Sequence, residues 1–213
     1  MDVHARRART LRIGGISGIV GTSLALAMVF AATALSSQFS WNVNALSDLG
    51  ISDVAALFNS AVIIGGLLTI PFAFGLRAYL PRNRWATVGS GIFIAGGISL
   101  ALVGILTEDY PLAHTIVSLG YFVLVPLGIL LLAAVLRGPW RIASIVAGLA
   151  ALLVIVPTAL DIIQLPGGFA IPEMIEALLL AAWVVAMGVT LVLASRQLAP
   201  EARVQPAPGG PPA

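Results

Sequence analysis

The stretch AHTIVSLGYFVLVPLGILLLAAVL, from Ala113 to Leu136, decides the fold: it runs for twenty-four residues without an acidic or basic charge. A helix rises about 1.5 Å per residue, so this length crosses the roughly 30 Å hydrocarbon core of a bilayer. The run is unbroken rather than alternating, whereas a barrel strand would show short segments of period two. Five further stretches are of similar length and predominantly apolar: Ile13–Leu35, Asp53–Leu76, Ala86–Leu106, Ile142–Ile163 and Pro172–Ala194. Together they predict an all-α, polytopic membrane protein, a six-helix transmembrane bundle over residues 13–195. A basic cytoplasmic leader at 1–12 and a Pro-rich, disordered cytoplasmic tail at 196–213 are expected to flank it.

The composition points the same way. Of the 213 residues 59% are hydrophobic and 9% charged, against roughly 25% charged in soluble domains. Cytosolic enzymes and nucleic-acid binders are thereby excluded, and the partners expected are membrane lipids, with a homo-oligomer or a partner membrane protein as further options. The absence of cysteine removes disulfides, thiolate zinc sites, iron–sulfur clusters and cysteine nucleophiles. The net charge is only +2, and all eleven basic residues are arginines.

Those arginines lie before the first span (Arg6, Arg7, Arg9, Arg12), between the second and third (Arg77, Arg82, Arg84), between the fourth and fifth (Arg137, Arg141) and after the sixth (Arg196, Arg203). Alternate connections are therefore basic. Asp48, Asp53, Glu108, Asp109, Asp161, Glu173 and Glu176 sit in or beside the opposite connections, and only Asp2 and Glu201 break the pattern. Basic loops stay inside, so both termini are expected in the cytoplasm of a multi-pass protein of the cell membrane. The first apolar run exceeds the 7–15 residues of a signal core, and Gly14, Gly18 and Gly21 suit a retained helix that packs closely on its neighbours.

The longest outer connection, SSQFSWNVNALSDLGIS from Ser36 to Ser52, mixes Phe39, Trp41, Leu46 and Leu49 with polar residues. It reads as an interfacial segment between helices 1 and 2, with its aromatics at headgroup depth. If helical, it would place Asn44 and Asp48 on one face with Ser47 beside them. Ser52 and Asp53 are expected to cap the second helix and complement its dipole. Within the spans, Asn59 must find a partner, because an unpaired amide in hydrocarbon costs about 1–3 kcal/mol. His114, Ser118 and Tyr121 share one face of the fourth helix. Asp161 and Glu176 lie at the same depth, and a carboxylate within a span faces the bundle interior or a water-filled cavity.

The candidate outer-cavity residues are thus Asn44, Ser47, Asp48, Asn59, Asp109, His114, Asp161 and Glu176. Two readings stand. These residues converge on a polar cavity that binds a cation or a lipid headgroup, or each caps a helix, meets water or pairs with a neighbour. A metal held by one histidine and several carboxylates would be calcium, magnesium or manganese rather than zinc; His4 and His114 fall on opposite sides. Gly-x-Ser-x-Gly, His-Glu-x-x-His and P-loop motifs are absent.

NALSDLG (Asn44–Gly50), ALFNSAVIIGG (Ala56–Gly66) and VGILTEDYPLAHTIVSLGYF (Val103–Phe122) resemble the DUF998 family of six-span prokaryotic membrane proteins. The resemblance covers the membrane portion from the first span to the sixth. It implies a six-span fold and, because the family is one of unknown function, no activity. The layout is also remotely similar to the FRAG1/DRAM/Sfk1 membrane proteins, associated with lipid handling, from which no residue role is carried over. Alkaline-ceramidase-like hydrolases use three histidines on zinc, and this sequence lacks them. The expectation is therefore an integral membrane protein that binds a lipid headgroup or cation without catalysis. The alternatives are a lipid-directed hydrolase or transferase and an accessory subunit.

Overall fold

The structure, a computed structural model, describes residues 3–160, 162 and 168–204. Six helices carry it: α1 (Val3–Leu35), α2 (Ala55–Tyr79), α3 (Arg84–Val103), α4 (Pro111–Ala133), α5 (Pro139–Ala159) and α6 (Ala170–Val204), with one 3-10 turn at Ser47–Ile51. All six are long and apolar enough to cross a membrane, and no strand occurs among the described residues. The chain is a six-helix integral membrane protein.

Local signals set several helix starts. The Asn83 side chain accepts the Trp85 backbone N–H at 2.8 Å and caps α3. Pro111 and Pro139 open α4 and α5, where the missing N–H costs nothing, and Gly138 before α5 takes a φ of +57° that favours glycine. The ends differ from the apolar runs. Residues 3–12 form the first turns of α1 and 196–204 the last turns of α6, because backbone hydrogen bonding continues through charged residues once a helix has left the hydrocarbon. Helix α5 ends at Ala159, short of the Ile163 expected.

Consecutive helices pack side by side, and α6 returns against α1 to close a ring. Small residues make the closure tight: a Cβ on Gly14 would stand 2.6 Å from the Cα of Gly75 on α2, and one on Gly15 would stand 2.5 Å from the Gly188 carbonyl oxygen on α6. Without a hydrophobic drive between helices in lipid, such backbone approach is what holds them.

The ring has two dissimilar ends. At one, Arg7 Nε donates to the Ala78 carbonyl at 3.0 Å and Arg77 Nε to Thr87 Oγ1 at 3.1 Å, joining α1, α2 and α3. Above this arginine end, Phe72, Phe93 and Trp183 meet at centroid distances of 5.7, 6.4 and 6.0 Å. Trp183 Nε1 donates to Ser144 Oγ at 2.9 Å, and that hydroxyl donates to the Trp140 carbonyl at 2.7 Å, so the buried indole N–H is satisfied. A second apolar cluster, including Val29, Leu46, Leu49, Phe58 and Met174, occupies the acidic end. Large apolar side chains such as Phe74, Ile116 and Leu153 point outward, as a bilayer-facing surface requires.

Candidate binding site

The segment between α1 and α2 folds over the acidic end as a lid. Its own side chains shape it: Asn44 Oδ1 accepts the Ser40 N–H at 2.9 Å, and Asp48 Oδ2 accepts from Asn44 Nδ2 at 2.7 Å and from the Ala45 N–H at 3.1 Å. Asn44 and Asp48 meet through a turn and not on the helical face expected, because helical hydrogen bonding begins only at Ser47. Leu46 and Leu49 point inward and are buried, and Phe39 stands edge-on to Trp41 at 5.3 Å.

Tertiary hydrogen bonds then fasten the lid on three sides. Glu173, in the first turn of α6, accepts the Leu46 N–H on Oε2 at 2.5 Å. Ser47 Oγ donates to Glu108 Oε1 in the α3–α4 connection at 2.6 Å. Asn59 Nδ2, on α2, donates to the Gly50 carbonyl at 2.9 Å. Backbone N–H groups of Gly168 and Ala170 donate to the carbonyls of Trp41 and Asn44 at 2.8 and 2.9 Å.

Asp53 does not cap α2. The cap position falls on Val54, without a side-chain bond, and Asp53 turns back to accept Ser36 Oγ at 2.6 Å and the Ser37 Oγ and N–H at 2.9 and 3.1 Å. The Ser36 bond first, then those of Ser37, hold its carboxyl below the ordinary value of 3.8. Ser36 and Ser37 follow directly on α1, so their hydroxyls and amide take up the carboxylate beside the α2 terminus.

His114 is buried beside the lid. Its Nδ1 lies 2.7 Å from the Leu106 carbonyl, an acceptor only, so Nδ1 carries the proton. In the neutral ring Nε2 then accepts Ser118 Oγ, at 3.2 Å. Glu108 Oε1 stands 3.6 Å from the same nitrogen. Ser47, Glu108, His114 and Ser118 thus form one chain of polar contacts from the lid into α4.

Beneath the lid is a cavity of about 140 Å³ between α1, α2, α3, α4 and α6. Leu26, Val62, Leu100, Val125, Leu180 and Val184 are among its walls, and Phe93 of the aromatic group also borders it. Ser47, Ser118, Tyr121 and Glu173 are polar contributors toward the acidic end, with Thr22 and Thr69 deeper. The Thr69 hydroxyl donates to the Gly65 carbonyl at 3.0 Å, so it is satisfied within its own helix. A polar cavity was expected; this one is apolar along most of its length and polar at one end.

The structure therefore gathers Asn44, Ser47, Asp48 and His114 at the lid, and Asn59 pins it from the side. Asp109 instead bonds Thr107 Oγ1 at 3.1 Å in an exposed turn. Glu176 is fully buried with neither oxygen partnered, and Asp161 lies outside the described residues. Glu108, Glu173 and Ser118 were not among the expected site residues. Only Ser118 had a signal readable from spacing, its i+4 relation to His114. No group of three His, Cys, Asp or Glu residues placed to hold a metal occurs among the described residues.

A family model described as a protein of unknown function (DUF998) matches residues 19–190. The chain belongs to the DUF998 family. No curated protein and no solved structure matches it. The DUF998 region takes in the whole lid and every cavity-lining residue from Thr22 to Val184, so lid and cavity belong to the family's part of the chain. The helical extensions at 3–12 and 196–204 lie beyond it.

Proposed function

We propose that this DUF998 protein binds an amphiphile of the membrane, its chain in the cavity and its head under the lid, without transforming it. One observation carries the reading: a cavity with apolar walls whose polar side chains concentrate at one end. A water needs about 10–15 Å³ and two or more polar partners, so 140 Å³ is far more room than water would fill against these walls. Acyl chains surround the protein at high concentration and fill such a void without any transfer from water.

The arginine end faces the cytoplasm of a cell membrane in this reading, which places the lid outside. The chain has no native cysteine, so single cysteines introduced at Gln38 and Asn83 report sidedness. Gln38→Cys is expected to react with an impermeant thiol reagent on intact cells, and Asn83→Cys only after permeabilisation; the reverse pattern overturns the orientation.

The binding test is native mass spectrometry of the purified protein. Wild type is expected to retain a bound amphiphile, and Ala177→Phe or Ala181→Phe, which place a ring into the cavity, to lose it while staying folded. A wild type that carries none, or filled variants that carry as much, overturns the reading.

A hydrolytic or transfer activity on lipids has one observation in its favour, the Ser118–His114 hydrogen bond beside the cavity. Nucleophile and base stand in the relation acyl transfer uses. Turnover of labelled membrane lipids by wild type and not by Ser118→Ala is the result it requires.

A further inference from the structure

The distribution of charge around the cavity selects among amphiphile heads. Glu173 borders the cavity, and Asp48 and Glu108 brace the lid above it. No arginine of the described residues lies at this end, and the chain has no lysine. His114 is the sole basic side chain there among the described residues, and both of its nitrogens already have partners. A phosphate or carboxylate head would enter beside acidic side chains, in a low-dielectric setting and with no arginine or lysine to receive it.

A second observation is independent of that acidic rim. Glu176 is fully buried, and neither carboxylate oxygen has a hydrogen-bond partner. Its helix neighbours Glu173, Ala177 and Leu180 border the cavity, although Glu176 is not itself among the lining residues. Buried polar atoms are almost always paired, and neither Glu176 oxygen is. A cationic donor would pair with these oxygens and stabilise the ionised carboxylate.

We propose that the head recognised under the lid is an ammonium, so that the protein's ligand is a long-chain amine or an amine-headed lipid and not an anionic one. This rests on the amphiphile reading above and names its head. The ammonium supplies up to three donors; Glu173 at the cavity border would take one, and the unpaired Glu176 oxygens, three residues further along α6, would receive the charge. An alcohol of equal chain length offers one donor and no charge, and a carboxylate adds repulsion.

The experiment compares hexadecylamine, hexadecanol and hexadecanoate, three heads on one chain, for binding to the full-length protein in uncharged detergent by native mass spectrometry. The amine is expected to bind on the order of tenfold more tightly than the alcohol, and the carboxylate most weakly. Glu173→Gln and Glu176→Gln are expected to bring the amine and alcohol affinities toward parity. Hexadecanoate binding as tightly as the amine overturns the head assignment and leaves the amphiphile reading intact. Binding of none of the three overturns both. If either variant fails to fold, the order of affinities in wild type decides.

Discussion

The Glu173 carboxylate accepts the backbone N–H of Leu46 at 2.5 Å, across 127 positions of sequence, and so ties the first turn of α6 to the lid. This bond places Leu46 over the cavity and positions the neighbouring Ser47 to reach Glu108.

Replacing Glu173 by Ala strands the Leu46 N–H in a buried site, at a cost of about 1–3 kcal/mol. A lower thermal midpoint in detergent and faster exchange of the Leu46 amide are expected. Glu173→Gln keeps an acceptor oxygen and should fall between Ala and wild type. Equal midpoints for Ala and wild type would show that the bond contributes nothing.

Trp183 and Ser144 join α6 to α5 through one hydrogen bond in a dry region. Ser144→Ala leaves the indole N–H without a partner and is expected to destabilise by about 1–3 kcal/mol. Trp183→Phe removes the N–H together with the need for it. The double variant should therefore lose little more than Trp183→Phe alone, which a double-mutant cycle on thermal stability reads directly.

Gly14 and Gly91 are both helical glycines, and they predict opposite outcomes. Gly14→Leu drives a side chain into the backbone of α2 near Gly75 and should abolish the folded, monodisperse protein. A Cβ on Gly91 meets nothing within 4 Å, and Gly91→Ala should be neutral or stabilising by up to about 1 kcal/mol from helix propensity. Yield and size-exclusion profiles separate the two.

Asp53 is held below the ordinary carboxyl value of 3.8, chiefly by Ser36 and then by Ser37. A lowered folded-state pKa means stability that is present above the unfolded value and lost as pH falls through the folded one. The junction of α1 with the lid should therefore loosen only at pH below about 4. Exchange of the Ser37 amide, corrected for its intrinsic pH dependence, should rise there. Asp53→Asn should show raised exchange at neutral pH and no such transition; a transition that persists in this variant assigns it to another group.

Local spacing made part of the site legible. His114 and Ser118 are four apart on one helix and do meet, and Asn44 and Asp48 are four apart and bond through a turn. Contacts across long separations were not legible. Ser47 joins Glu108, and Glu173 joins Leu46, only because α3, α4 and α6 bring their ends to the same rim. Glu108 and Asp109 are adjacent acids of similar chemistry. One faces the lid and the other an exposed threonine, a choice set by how the α3–α4 connection turns. Asp53 is expected to place its charge at the start of α2, and nothing local reveals that Ser36 and Ser37 also bind it.

The sequence by itself determined that this is a six-span membrane protein with its arginines at one end and most of its acids at the other. Span length against bilayer thickness and the cost of charge in hydrocarbon are properties of each segment taken alone. Tertiary structure decided that α6 closes on α1, that the lid is held by Glu173, Glu108 and Asn59, and that the space beneath it is apolar with a polar end. Those depend on which side chains of separate helices share a volume, and packing is a property of the assembled ring.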